Sequence, residues 1–194
     1  MSYAVFAGAL ATIVGIIGYV PYFRDIIRGE TKPHVFSWLI WGMLTATSFF
    51  AQIVSDAGPG AWVMGITMVA DFAIAGFAFF RGEKGITRTD WLCFLGAILG
   101  IVLWRITDNP LSAVITVSIV DFLGFLPTFR KALKKPYEET LTTFTFAVVK
   151  FVIGITALQS FELVNWLYPA MIAVTNAIFV AIILFRRRKI AKTL

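Results

Sequence analysis

The chain has 194 residues, of which 59% are hydrophobic and only 14% are charged, and its mean hydropathy is +0.84. A soluble domain averages about 45–50% apolar and about 25% charged residues. The composition therefore excludes an ordinary water-soluble enzyme and a disordered chain, and the single cysteine excludes a disulfide scaffold. The net charge of +6 fits the basic loops of a membrane protein better than nucleic-acid binding.

Seven apolar segments predict an all-α integral membrane protein with seven transmembrane helices. A helix needs about 20 residues to cross the hydrocarbon core, with about 17 as the lower limit, and charged or Gly/Pro-containing breaks separate segments of this length. The predicted spans cover residues 3–21, 35–54, 61–80, 90–106, 110–127, 140–159 and 164–185. These apolar runs are continuous, whereas strands of a β-barrel alternate apolar and polar residues.

The distribution of Lys and Arg predicts the orientation. Fifteen of the 17 basic residues lie in the loops after helices 1, 3 and 5 and in the C-terminal tail, whereas Arg105 lies on the other side and Lys150 within a span. Because basic loops stay in the cytoplasm, we expect the N-terminus outside and the C-terminus inside the cell (inner) membrane. The start of the chain has no basic residues of a signal peptide and is expected to open the first helix.

The two halves of the chain are similar. A displacement of 106 positions aligns residues 18–24, GYVPYFR, with residues 124–130, GFLPTFR, without a gap. This match indicates a duplicated unit of three helices, and helix 4 between the units gives both copies the same orientation in the membrane. The predicted organisation is a first three-helix bundle at 1–80, a linker with helix 4 at 81–109, a second bundle at 110–186 and a basic tail at 187–194.

This 3+1+3 layout, with Pro21 and Pro127 near the cytoplasmic ends of helices 1 and 5, resembles the PQ-loop and SWEET transporter superfamily. Polar stretches at 31–37 and 140–143 match the Ser/Thr-rich start of the next helix in that superfamily. Tyr22 and Thr128 stand where PQ-loop proteins have glutamine, so the chain resembles a divergent, prokaryotic-looking member. The resemblance implies alternating access between two parallel three-helix bundles around a central site.

Polar residues inside the spans are the candidate site residues, because an ionised group at the bilayer centre costs about 2.5–3.5 kcal/mol. At about 1.5 Å per residue, Asp71, Lys150 and Asn176 lie about 14–15 Å from the cytoplasmic ends of their helices, near the midplane. In sugar-transporting SWEETs an asparagine on each of helices 3 and 7 faces the central site, and Asp71 and Asn176 are similar in position. We interpret them as substrate-binding residues; the alternative is two separate polar residues, each satisfied by a neighbouring helix.

Lys150 has two candidate partners. With Asp121 it forms either a structural ion pair or a pair for substrate anchoring or proton coupling, whereas an ionised Asp71 is the candidate across the cavity.

Trp41 lies deep enough to stack on a ring in the substrate, the alternative being core packing. Pro21 and Pro127 are predicted to be helix-end hinges, since proline removes a backbone hydrogen bond.

Together these features predict a transporter of a small polar solute such as a sugar, an amino acid or a vitamin precursor. The alternative is a non-transporting membrane receptor or an assembly subunit on the same fold. The sequence has neither a Walker-type nucleotide loop nor an HExxH motif, and its single histidine, His34, is expected at the surface. We therefore predict no enzymatic activity, no cofactor, no metal and no nucleic-acid partner.

Helix 4 contains a GxxxG pattern, GAILG, at residues 96–100. Such a pattern lets two helices approach closely. Tight packing within the chain is one interpretation, and a contact between two copies in a homo-oligomer is the other.

Overall fold

The computed structural model describes residues 2–107 and 110–191, and over these ranges the chain is helical without any strand. The all-α prediction is therefore confirmed for the described residues. A short 3₁₀ turn, Gly58–Ala61, leads directly into the third helix. The helices are α1 (Tyr3–Arg28), α2 (Val35–Val54), α3 (Trp62–Arg81), α4 (Arg88–Thr107), α5 (Pro110–Lys134), α6 (Leu141–Thr156) and α7 (Leu163–Ala191).

Four helices are long and apolar enough to cross a membrane, namely α1, α2, α3 with its 3₁₀ turn, and α7, whereas α6 is a shorter apolar helix. Large apolar side chains are exposed along α1, including Phe6, Ile13 and Val20, and the same holds on other helices. Soluble proteins rarely expose apolar surface on this scale. The molecule therefore has the surface of a helical membrane protein, and membrane crossing by α4, α5 and α6 stays a prediction.

Several helix ends differ from those predicted. α1 and α5 continue to Arg28 and Lys134, so that Pro21 and Pro127 lie inside these helices; their predicted position at helix ends was wrong. Hydropathy marks where the apolar run stops, but proline removes only one backbone donor and the polar residues after it continue the helix. α1 ends at Gly29, whose left-handed φ of 76° lets its N–H bond back to carbonyls of the last turn.

The last two helices also have other bounds than predicted. α6 ends at Thr156, three residues before the predicted end, and α7 runs to Ala191, six residues beyond it. The C-terminal basic residues up to Lys189 are thus helical. Outside the hydrocarbon core, water hydrates charged side chains and a helix can contain them. The helix therefore continues beyond the end of the apolar run.

Helices that follow one another in sequence are not always neighbours in space. α3 packs against both α1 and α2, and α7 packs against both α5 and α6. α1 contacts α6, α2 contacts α5, and α4 lies mainly against α5. The six helices other than α4 therefore surround one common interior.

Besides a small cluster of Ala57, Ala61 and Leu158, the interior contains two large apolar layers along the bundle. One layer lies toward the loops rich in basic residues and is built on Tyr22, Trp38, Ile74, Phe125 and Phe179, among others. The other lies toward the opposite end and contains Ala11, Leu44, Met64, Phe151 and Tyr168, among others. Each of the six surrounding helices contributes to both layers, and the polar residues of the spans lie between them.

Candidate functional site

A cavity of about 50 Å³ lies between the two apolar layers. A water molecule needs about 10–15 Å³ on this scale, so the cavity has room for a few waters or the polar part of a small solute. All five residues predicted inside the spans line it: Asp71, Asn176, Trp41, Lys150 and Asp121. With Tyr19 of α1, which also lines the cavity, residues from all six helices of the common interior meet at one place although they are far apart in sequence.

Lys150 is the centre of the hydrogen-bond network on one side of the cavity. Its side chain is buried, and Nζ donates to the hydroxyl oxygens of Tyr19 at 3.0 Å and Thr67 at 2.8 Å. Tyr19 in turn donates to Oδ1 of Asp71 at 3.0 Å, and Nζ lies 4.3 Å from the centre of the Tyr19 ring. Of the two candidate partners, Asp71 is therefore the carboxylate joined to Lys150, through a single shared hydroxyl group.

Asp71 is fully engaged in this network. Oδ1 accepts from Tyr19 and Oδ2 lies 3.2 Å from the hydroxyl of Thr45, which also lies 2.7 Å from the carbonyl of Trp41. Asn176 forms no hydrogen bond with Asp71 among those described, since its Nδ2 donates to the carbonyl of Ile172 in its own helix. The two residues nevertheless face the same cavity.

Asp121 lies on the other side of the cavity. Its side chain is 3% exposed and Oδ1 accepts from the Tyr168 hydroxyl at 3.2 Å. None of the ion pairs among the described residues includes Asp121, so the interpretation of a direct Lys150–Asp121 pair is wrong. Lys150 instead donates its hydrogen bonds to Tyr19 of α1 and Thr67 of α3.

Trp41 forms part of the aromatic wall. Its ring lies 4.4 Å from that of Phe125 and 5.0 Å from that of Trp38, measured between centroids. The indole N–H is buried and has no hydrogen-bond partner among the described residues. Trp41 thus packs in the core, as one interpretation held, and its ring also lines the cavity. Stacking on a ring in the substrate stays a prediction.

Polar side chains at the basic end of the bundle form what we call the basic-end network, which consists of Tyr22, Asp25, Lys131, Glu139 and Thr140. Tyr22 donates to Oε2 of Glu139 at 3.3 Å, and Thr140 donates to Oδ2 of Asp25 at 2.8 Å. Lys131 forms an ion pair with Glu139 although both are buried. Burial raises the pKa of the Glu139 carboxyl, and the charge of Lys131 opposes that rise.

Two further contacts join the ends of facing helices at the same level. The hydroxyl oxygens of Thr31 and Thr140 lie 2.6 Å apart, and Thr128 donates to the hydroxyl of Ser37 at 2.8 Å. Trp38 connects the network to the cavity, because its indole N–H donates to the Tyr22 hydroxyl at 3.1 Å. Side-chain hydrogen bonds between the two halves of the chain thus lie between the cavity and the basic end.

The opposite end is held by three hydrogen bonds to backbone carbonyls and by a small apolar cluster that includes Ala57, Ala61 and Leu158. Nε2 of Gln52 donates to the carbonyl of Asn165 at 2.9 Å, and the N–H of Gln159 donates to the carbonyl of Ala57 at 3.2 Å. Nδ2 of Asn165 also donates to the carbonyl of Ser55 at 3.4 Å. We call the hydrogen bonds among these five residues the opposite-end contacts. They join the end of α2 and the loop after it to the start of α7 and the loop before it, and none of the ion pairs among the described residues includes them.

His34 is fully buried, so its expected place at the surface was wrong. It stands just before α2, where Nε2 lies 3.4 Å from Oδ2 of Asp90 at the start of α4. Arg130 at the end of α5 donates to the same oxygen at 2.7 Å. Three helix ends thus meet around His34. Burial lowers the pKa of the imidazole, while Asp90 acts in the opposite direction and Arg130 and Lys131 act with burial.

This environment predicts a pH dependence of stability. Because the folded protein protonates His34 less readily than the unfolded chain, the neutral ring stabilises the fold fully above about pH 6.5, and this contribution is lost as the pH falls below that value. The melting temperature of the wild type should fall more steeply on acidification than that of His34→Gln. Parallel curves for the two proteins would show that His34 titrates normally.

Sequence reasoning missed three members of the site. Tyr19, Thr67 and Tyr168 supply the hydroxyl groups that bind the charged side chains, but an isolated Tyr or Thr in an apolar span is common. One signal was present for Tyr19, because the aligned repeat has Phe125 in its place and the hydroxyl is therefore found in one copy only. No comparable signal marks Thr67 or Tyr168.

No family model, curated protein or solved structure matches this chain. The similarity to the PQ-loop and SWEET superfamily therefore depends on the residues quoted from the sequence. The site is defined by its geometry, which is a central cavity that holds two carboxyl groups, one amine and an unpartnered indole donor among its described residues.

Proposed function

We propose that the protein is a membrane transporter of a small polar solute, which binds in the central cavity and crosses by alternating access. The moving parts are two parallel three-helix bundles, residues 1–80 and 110–186, with α4 as the linker, as in the PQ-loop and SWEET superfamily. The observation that carries the proposal is the position of the cavity. Its buried polar groups come from both bundles at the middle of the molecule, where transporters of this type bind substrate.

Equivalent close contacts support the repeat. A Cβ atom at Gly18 of α1 would overlap the side chain of Phe146 in α6, and one at Gly124 of α5 would lie 3.0 Å from Cγ2 of Ile40 in α2. Gly18 and Gly124 are 106 positions apart, and so are Ile40 and Phe146. The same displacement that aligns the two halves of the sequence thus relates two helix crossings, as expected if a two-fold axis relates the bundles.

The asymmetry of the two ends supports a cycle of opening and closing. The basic-end network contains hydrogen bonds between side chains of the two bundles, from Tyr22 to Glu139 and from Thr140 to Asp25, and a buried ion pair within the second bundle. The opposite-end contacts are three hydrogen bonds to backbone carbonyls, with a small apolar cluster beside them and no hydrogen bond between two side chains. We infer that this conformation is closed most firmly at the basic, cytoplasmic end, and that opening that end requires Thr31 and Thr140 to separate.

A disulfide across this gate tests alternating access. Thr31→Cys and Thr140→Cys place two sulfur atoms where hydroxyl oxygens now lie 2.6 Å apart, close to the S–S bond length of about 2.0 Å. The native Cys93 is replaced by Ser in the background. The solute that most raises the melting temperature in a metabolite screen is then measured for uptake into proteoliposomes. Uptake should stop on oxidation of the double variant and return on reduction.

The two single-cysteine variants are the matched controls, and their uptake should not respond to oxidation. Unchanged uptake by the cross-linked protein would contradict alternating access through this end. If no stabilising solute enters the proteoliposomes, the transport proposal itself fails.

A further inference from the structure

The cavity has two walls that differ in how well their polar groups are satisfied. On the first wall, Lys150 donates to Tyr19 and Thr67, and Tyr19 donates to Asp71. The positive and negative charges of this wall are equal in number and are joined through one hydroxyl group. This wall needs no ligand to compensate it.

Asp121 on the second wall has no such compensation. Its described hydrogen-bond donor is the neutral Tyr168 hydroxyl, at 3.2 Å, and it belongs to none of the ion pairs among the described residues. Lys150, the only basic side chain among the described residues that line the cavity, donates to groups on α1 and α3. The cavity therefore holds one carboxyl group more than it holds amines, and a buried carboxylate without a partner is costly.

An unused donor lies near the same helix face. The buried Nε1 of Trp41 has no partner among the described residues, and it lies 3.4 Å from the position that a Cβ of Gly124 would occupy. Gly124 follows Asp121 by three residues on α5, so the two share one face of that helix. The rings of Phe125 and Tyr168 also line the cavity. A carboxyl group, a free N–H and aromatic rings thus form one wall.

We propose that this wall binds a small organic cation, with its positively charged nitrogen at Asp121 and an oxygen atom of the ligand accepting from Nε1 of Trp41. The inference rests on the proposed function and narrows its substrate class from polar solutes in general to amines that also carry a hydroxyl or carbonyl oxygen. The carboxylate supplies the counter-charge, and aromatic rings bind the polarised C–H and N–H groups around a cationic nitrogen. A neutral sugar satisfies the donor but leaves the charge of Asp121 unpaired.

Matched probes that differ only in charge test the proposal. Radiolabelled choline is bound to the full-length protein in lipid nanodiscs, and it is competed with unlabelled choline and with its carbon isostere, in which a neutral carbon replaces the nitrogen. Ethanolamine and propanol form a smaller pair with the same difference. A hydrogen bond or contact between charged groups contributes more to the free energy of binding than one that involves a neutral group. Each amine should therefore bind at least about tenfold more tightly than its isostere.

Variants assign this preference to residues. Asp121→Asn keeps the shape but removes the charge, and it should reduce the preference for amine over isostere to less than about threefold. Trp41→Phe should weaken both members of a pair equally, because it removes the donor to the oxygen. The matched control is Asp56→Asn, an exposed acidic residue in the loop after α2 that should leave the preference unchanged.

The outcomes separate this inference from the proposed function. Equal binding of amines and isosteres, or a preference that survives Asp121→Asn, overturns the inference and identifies Asp121 as a residue that carries a proton. If neither choline nor ethanolamine binds, the inference is also overturned. Uptake of a neutral solute would then still support transport, whereas binding of amines that depends on Asp121 without uptake supports the inference and contradicts transport.

Discussion

Lys150→Met is expected to destabilise the protein by about 3–5 kcal/mol, because it leaves the carboxylate of Asp71 buried without its cation. The double variant with Asp71→Asn should recover much of this loss, since it removes the stranded charge. Tyr19 connects the two side chains, because its hydroxyl accepts from Nζ of Lys150 and donates to Oδ1 of Asp71, both at 3.0 Å. Unfolding in detergent micelles of the wild type, the two single variants and the double variant gives the coupling free energy directly.

The control is Lys134→Met, which replaces an exposed lysine at the end of α5 and should change stability by less than about 0.5 kcal/mol. A double variant whose loss equals the sum of the two single losses would show that Lys150 and Asp71 are independent. A Lys150→Met protein as stable as the wild type would show that the amine is not ionised in the folded state.

Gly18→Ala is expected to destabilise the protein by about 1–3 kcal/mol through overpacking between α1 and α6. A methyl group at this position would overlap Cβ of Phe146, which is fixed to the backbone of α6 and cannot rotate away. The helices must therefore move apart, which also strains the bond from the Thr143 hydroxyl to the carbonyl of Gly18, now 2.8 Å. The free energy of unfolding in micelles measures the effect.

Gly76→Ala is the matched control in α3, where nothing lies within 4 Å of the added methyl group. Alanine is the better helix former, so this variant should be unchanged or more stable by about 0.5–1 kcal/mol. Gly124→Ala should be milder than Gly18→Ala, because its neighbour is the branch methyl of Ile40 at 3.0 Å. Equal effects at Gly18 and Gly76 would contradict the close α1–α6 crossing.

The apolar runs predicted each of the described helices, but they misplaced several ends. The helices containing Pro21 and Pro127 continue for seven residues beyond each proline. Hydropathy reports the preference of side chains for lipid, whereas a helix ends where its backbone bonds are capped, as at Gly29. His34 shows the same limit, since a polar loop residue became buried when three helix ends met around it.

The amino-acid sequence by itself determined the all-helical, strongly apolar character of the chain, and it predicted the repeat. It also singled out Asp71, Asp121, Lys150 and Asn176, because charged and polar side chains in apolar spans are rare enough to stand out. Only the tertiary structure decided how those residues are paired. Lys150 is directed to Tyr19, Thr67 and Asp71 rather than to Asp121 because α6 packs against α1, and α1 against α3. Packing between segments that are distant in sequence decides which helices are in contact. No local sequence pattern predicts these contacts.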